Sequence, residues 1–379
     1  MRGPRHLVPR QQGPRGDRNT APPRITPRTT PHFSEGTEHL MPSSREIRLA
    51  TRPVGFPSPS DFELVTTEVP DTVTDGQVLV RNTWMSVDPY MRGRMDDVPS
   101  YIAPFELGAS LEGNAVGEVV ASGSAGVPVG ATVSHFAGWR EYAVLDAAAV
   151  TVIDTSVAPA SAHLGPLGAT GLTAYATLKR IAPVREGDVV FVSAAAGAVG
   201  SVAGQVARAL GASRVIGSAG GPEKTKKLLD TFGYDAALDY RQGALDEQLA
   251  QAAPDGIDVY FDNVGGDHLQ AGIGAIRRDG RIALVGGLGE YNATAPVPGP
   301  NNLLQAAKQE ATLRGMLVTS HLDLFPEWIA TASAMIADGT LRTEQTVVEG
   351  ITAAPDAFLG VLRGANTGKM LVKLVAGAK

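Results

Sequence analysis

From Arg45 to about Ala160 the chain breaks into short apolar runs rich in Val and Thr, among them Phe62–Val65, Gln77–Asn82, Ala115–Ser122 and Ala131–Phe136. Turn formers separate them: Asp75-Gly76, Gly123, Gly126 and Pro128-Val129-Gly130. β-branched residues between such breaks predict strands, and many short strands in succession predict a compact, partly open barrel. Near Gly165 the pattern changes. Buried-strand runs now alternate with helical periodicity, as a parallel sheet requires. Strands are predicted at Asp188–Ser193, Arg214–Ser218, Ala236–Leu238, Asp258–Asp262, Arg281–Val285 and Ala311–Val318. Helices are predicted at Val199–Leu210, Glu223–Phe232 (with Leu228 and Leu229 inward), Gly243–Ala253, His268–Ala275 and Phe325–Asp338. Pro296–Asn302 reads as a loop. The tail Lys369–Val375 returns to strand periodicity and is expected to rejoin the first domain, because the parallel sheet is complete before it.

The expected division is a leader at 1–40, a barrel domain at 41–164, a dinucleotide-binding domain at 165–340 and a returning segment at 341–379. A chain of 379 residues is long enough for two such domains. The leader carries seven arginines against three acids, with many prolines and almost no apolar periodicity. That composition predicts disorder, and Met41 resembles a natural chain start. No apolar stretch follows the arginines, so the leader is not read as a secretory signal, and a cytoplasmic location is expected. The rest of the chain is acidic and the net charge is −6, which argues against a nucleic-acid partner. No segment reads as a membrane span. The chain contains no cysteine, which excludes disulfides, thiolate nucleophiles and cysteine-bound zinc. The seven histidines are scattered without ligand spacing, so no metal site is expected.

Chemistry concentrates after the first predicted strand of the parallel sheet. Ser193-Ala194-Ala195-Ala196-Gly197-Ala198-Val199-Gly200 joins that strand to the first helix. Ala195, Gly197 and Gly200 form an Ala-x-Gly-x-x-Gly variant of the dinucleotide fingerprint. Gly197 would let backbone approach a pyrophosphate, and Gly200 would let the helix pack closely on the strand. The first-turn N–H groups would face the phosphates. After the second strand, where NAD enzymes place an acid for the ribose diol, the residues are Gly217-Ser218-Ala219-Gly220-Gly221. Lys224 and the Ser218 hydroxyl could instead meet a 2′-phosphate, with Lys226 and Lys227 adding positive field. This favours NADP(H).

Several ordered blocks resemble the medium-chain dehydrogenase/reductases that lack zinc, in the branch of prostaglandin reductases, plant alkenal reductases and bacterial curcumin reductase. They are Arg45–Phe56, Ser86-Val87-Asp88-Pro89-Tyr90-Met91-Arg92, Gly171-Leu172-Thr173-Ala174-Tyr175, Ala195–Gln205, Gly220-x-x-Glu223-Lys224, Phe261-Asp262-Asn263-Val264-Gly265-Gly266 and Asn366-x-Gly368-Lys369. The resemblance covers all but the leader. It implies an α/β fold class, with a GroES-like β-barrel catalytic domain and a Rossmann domain, NADPH between them, and a homodimer. It places Gly197, Ala198 and Val199 along the pyrophosphate, Lys224 at the 2′-phosphate, Tyr240 beside the adenosine end and Asn263 along the cofactor. Gly286 to Tyr291, including Gly287, would line the nicotinamide side. Met316 to Val318 would meet its amide, and Asn366 would approach from the tail. Tyr90 and Tyr291 match tyrosines near substrate. Gly287-Leu288-Gly289-Glu290 is richer in glycine and more acidic than the family pattern.

The reaction so implied is reduction of a carbon–carbon double bond conjugated to a carbonyl, with Tyr291 as first and Tyr90 as second candidate donor to the substrate oxygen. An NADPH:quinone oxidoreductase is the rival enzyme, and a non-catalytic NADPH-binding protein the alternative of another class. A zinc alcohol dehydrogenase is disfavoured, because its usual cysteine ligands are absent.

Overall fold

A computed structural model describes residues 43–374. The expectations for the leader, 1–40, lie outside the described residues.

The chain opens with β1 (Ser43–Leu49), which pairs antiparallel with β2 (Phe62–Glu68). There follow β3 (Gln77–Ser86), the short α1 (Met91–Arg94), β4 (Ala115–Ser122), β5 (Thr132–His135), β6 (Tyr142–Asp146) and β7 (Thr151–Val152). The helix α2 (Ala169–Ala176) precedes a regular alternation. It runs β8 (Val189–Val192), α3 (Ala198–Ala209), β9 (Arg214–Ala219), α4 (Pro222–Asp230), β10 (Ala236–Asp239), α5 (Leu245–Ala252), β11 (Ile257–Asp262), α6 (Gly266–Ala275) and β12 (Ile276–Leu284). Then come α7 (Leu303–Lys308), β13 (Thr312–Gly315), α8 (Phe325–Ala337), β14 (Gln345–Glu349), α9 (Ala354–Leu362) and β15 (Lys369–Lys373).

β8 to β13 form one parallel sheet in the order β10-β9-β8-β11-β12-β13. This is the strand order of a Rossmann sheet, with the crevice at the carboxyl ends of β8 and β11. Its interior is apolar, as a sheet covered on both faces demands. Phe191 and Tyr260 stack at 5.0 Å inside it. Trp328 of α8 is fully buried, stacks on Tyr175 of α2 at 5.1 Å and donates its indole N–H to the Pro166 carbonyl. Full burial of a large apolar side chain contributes about 1.5–3 kcal/mol, so this contact alone anchors α8 firmly.

The other sheet runs β14-β15-β3-β4-β5-β7, with β6 also on β3, and forms the GroES-like barrel. β15 pairs with β3 through Leu371 opposite Ser86, so the last strand of the chain lies inside the barrel sheet. The helix α9 joins its core: Phe358 packs edge-on against Trp139 and Phe62.

The predicted and observed elements differ at several places. Leu229 is 46% exposed whereas Leu228 is fully buried, because α4 rests on the sheet along a narrow stripe. The sixth strand ends at Gly315, so Met316 and Val318 lie beyond it in the turn leading to α8. The fifth begins at Ile276, earlier than Arg281. β14 is too short and too exposed to have shown an alternating pattern.

One turn ties the two sheets. Gly368, just before β15, donates its N–H to the Ala196 carbonyl at 2.8 Å. Its φ is +62°, and a Cβ there would collide with the Glu344 carbonyl. Gly368→Ala is therefore expected to cost at least about 1–3 kcal/mol, since a side chain is both strained at positive φ and blocked. Calorimetry should show a clearly lowered melting temperature; an unchanged one would contradict this geometry.

Candidate active site

The crevice begins where β8 ends. Ala194 takes φ +47°, which turns the chain sharply, and Gly197 caps α3. A Cβ on Gly200 would sit 2.5 Å from the Ala194 carbonyl and 2.6 Å from the Ala195 Cα, so only glycine lets α3 start this close to β8. The first-turn N–H groups of Ala198, Val199 and Gly200 have no helical acceptors and point out of the helix end. The turn is braced from behind. Ala195 N–H bonds the Ser218 carbonyl at 2.9 Å, and Asn263 gives its side-chain amide to the Ser193 carbonyl at 2.7 Å. Asp262 is buried at the end of β11, where one oxygen accepts from the Ser193 and Tyr260 hydroxyls and the Val264 and Gly265 N–H groups. Four donors compensate its burial.

At the far side of β9, Lys224 and Arg241 converge. A Cβ on Gly220 would lie 2.6 Å from the Tyr240 hydroxyl and 2.8 Å from Arg241 Nε. Lys224 donates to the Gly364 carbonyl at 2.6 Å. Burial first, and the Arg241 charge second, hold its ammonium below the ordinary lysine value. No carboxylate pairs with either cation among the described residues. Asp239 stands nearby, but its Oδ1 is taken by the Gly221 and Arg241 backbone N–H groups. The Ser218 hydroxyl is buried without a partner. Two cations without a counter-ion, next to an unpartnered hydroxyl, fit a doubly charged oxyanion. Lys226 and Lys227 do not contribute as expected: they pair with Asp230 and Glu344 and are locally neutralised. Sequence reading missed Arg241, whose signal was its place directly after Tyr240 at the end of the third strand.

Tyr240 also walls a cavity of about 400 Å³ with His268, Asp267 and the loop at Gly243–Leu245. Its ring stands edge-on to His268 at 5.3 Å.

At the other end of the crevice, Tyr291 follows the loop Gly286–Glu290. Burial pushes its phenol up, opposed by the Gly287 N–H at its oxygen. Met316 is buried, with its N–H on the Leu284 carbonyl at 2.9 Å, and Val318 begins the turn after it. Asn366 is buried and holds the Gly368 carbonyl at 2.7 Å. From the barrel side comes Tyr90, at the head of α1, whose hydroxyl is buried and unpartnered. Desolvation raises its phenol far above the usual value, and Asp88 adds to this. Tyr101 links the two: its phenol is raised by burial and then by Tyr291, and it is felt in turn by Tyr90. Charge coupling thus relates Tyr101 to both Tyr90 and Tyr291, while Gly197, Ser218, Lys224 and Tyr240 lie at or just beyond the carboxyl ends of β8, β9 and β10.

These residues fit a dinucleotide phosphorylated on its ribose. The helix start would take the pyrophosphate, and Lys224, Arg241 and Ser218 the ribose phosphate. No cluster of three or more His, Asp or Glu side chains that could hold a metal ion occurs among the described residues, and the chain has no cysteine.

Two family profiles match, described as the N-terminal domain of oxidoreductase, over residues 45–153, and zinc-binding dehydrogenase, over residues 198–337. The NADPH-dependent curcumin reductase of Escherichia coli (strain K12) is 36% identical, over 88% of this chain and 97% of its own. The NADP(+)-dependent 2-alkenal reductase of Nicotiana tabacum is 35% identical, over 87% and 97%. The crystal structure of CurA from Vibrio vulnificus in complex with NADPH superposes with a TM-score of 0.83 at 37% identity, over 88% of this chain and 99% of that one. The shared strand order, the phosphate-binding turn and these relationships over nearly the whole of each relative agree: the chain belongs to the medium-chain dehydrogenase/reductase family, in its zinc-independent branch.

Proposed function

We propose that this protein is an NADP-dependent oxidoreductase that reduces the carbon–carbon double bond of an α,β-unsaturated ketone or aldehyde. The observation that carries the reading is the glycine-bounded turn at Gly197–Gly200 together with the Lys224–Arg241 cation pair, which suit a dinucleotide phosphorylated on its ribose. Two relatives named for curcumin and 2-alkenal reduction support it. Bound NADPH supplies the hydride to the β-carbon of the substrate. The chain must hold that carbon in line, exclude water and place a donor at the carbonyl oxygen, where charge develops. The Tyr291 hydroxyl is the proposed donor. Its raised pKa keeps it protonated, so it can donate without carrying charge. Tyr90 stands second. Its hydroxyl is buried without a hydrogen-bond partner. Comparing steady-state rates on enones and quinones separates this reading from a quinone oxidoreductase, and NADPH binding without turnover on any activated alkene would support the non-catalytic alternative.

A homodimer is part of the proposal. β13 is an edge strand with only β12 beside it. Leu303, Leu304, Leu317 and Leu322 stand exposed on the segments flanking it. An unpaired edge rimmed by leucines suits an isologous contact with a second copy. Leu304→Lys with Leu317→Lys is expected to shift sedimentation from dimer to monomer; a wild-type monomer would refute the dimer.

Lys224→Ala and Arg241→Ala are each expected to weaken NADPH binding by tenfold or more, since a charge-assisted contact contributes about 1.5–3 kcal/mol. NADH binding should change little. Calorimetric titration of both cofactors checks this, and equal losses would refute the phosphate assignment.

Tyr291→Phe keeps the ring and removes the donor. Single-turnover hydride transfer should slow while NADPH affinity holds, by less than the roughly 2.7–4 kcal/mol of a dedicated oxyanion donor, because water can substitute. An unchanged single-turnover rate would leave Tyr291 as a pocket wall.

A further inference from the structure

The turn that ties the two sheets continues directly into a buried charge. Gly368 bonds Ala196 in the phosphate-binding turn, and Gly197 and Gly368 face each other as a parallel bridge. The next residue, Lys369, is only 4% exposed in its side chain and pairs with Asp88, itself 15% exposed. The Ser86 hydroxyl also donates to Asp88. Two residues further on is Tyr90. Covalent neighbours, one backbone hydrogen bond and one ion pair therefore run unbroken from Ala196 to Tyr90.

We infer that Lys369 is a positioning residue: through Asp88 it holds the Tyr90 turn in register with the phosphate-binding turn, so that order at one is transmitted to the other. The assignment rests on the reading of this crevice as the NADPH and substrate site.

Three physical points support it. A lysine this buried is costly unless paired, so the pair is a fixed point and not a fluctuating surface contact. Its partner lies on the loop between β3 and α1, two residues beyond Ser86, where the backbone pairing of β15 with β3 ends, so the ion pair carries the link on from the sheet into the loop. And the Asp88 charge reaches the Tyr90 phenol, as the raised pKa of that group records. A lysine serving the barrel fold alone would have no reason to sit next to Gly368, one residue from the contact with Ala196.

The experiment is amide hydrogen exchange on the full chain, with and without saturating NADPH. In the wild type, NADPH should slow exchange both at 194–200 and at 86–95. In the double variant Asp88→Asn/Lys369→Met, which removes both charges together and avoids stranding one, protection should remain at 194–200 and vanish at 86–95. Lys369→Arg should restore both. If the double variant does not fold, Asp88→Glu keeps both charges and shifts their contact by one methylene, and protection at 86–95 should then weaken. Full protection of 86–95 in either variant, or none in the wild type, overturns the inference.

A second readout separates positioning from bulk stability. The double variant Asp88→Asn/Lys369→Met should lower the rate of enone reduction about tenfold with NADPH affinity nearly unchanged, and should have no further effect in a Tyr90→Phe background. Additive losses would mean that Lys369 acts elsewhere. Should the wild type reduce no enone, the proposed reaction fails, while the exchange measurement still decides whether the two turns are coupled.

Discussion

The architecture depends on how closely backbone can approach backbone around the turn at 194–200. α3 can start against β8 only because Gly200 has no side chain, and Gly368, which bonds the same turn, can pack under the Glu344 backbone only because it has none. Each approach is set by hard-core repulsion, which is steep, so a single methyl group at either position would force the neighbouring element outward. The rest follows from these two distances. With α3 seated, its free N–H groups define where a phosphate can bind. With β15 seated, the barrel is closed and its tyrosine-bearing loop is placed over the same crevice.

Electrostatics then divides the crevice into two ends. At one end, like charges are brought together by burial. Burial first, and the Arg241 charge after it, disfavour the charged form of Lys224. A folded protein retains such a pair where an anion offsets the repulsion. At the other end the polar groups are neutral phenols, which can serve a carbonyl oxygen without discharging a cationic or anionic partner. One end therefore selects by charge and the other by hydrogen bonding. The neighbouring Lys226 and Lys227 show how local this is, since each has its own acid and the positive field does not spread along α4.

Most of the fold was legible in the sequence. The parallel sheet was readable because strands buried on both faces are continuous apolar runs, and β4 and β9 fall within a residue of their predicted spans. Leu229 was misjudged because helical periodicity gives a stripe but not its width. The cation pair was half legible. Lys224 lies on a recognisable motif, whereas Arg241 reaches the site from another loop across 17 residues of sequence, and only folding brings them together. The unpartnered state of the Tyr90 hydroxyl, and the ion pair of Lys369 with Asp88, depend on which side chains the packing seals off. No spacing rule encodes that.

The place of β15 has a consequence for how the molecule is made. It is an interior strand, between β14 and β3, yet it follows every other described strand in the sequence. Its ion pair to the barrel joins residues 281 apart in sequence. The barrel segment emerges first but must wait, with the Trp84–Ser86 end of β3 unpaired beyond β6, through synthesis of the entire parallel sheet. Non-local pairings of this kind fold slowly, and an open strand invites pairing with other chains. Until β15 arrives, the nascent chain carries a completed cofactor-binding half beside an unfinished barrel.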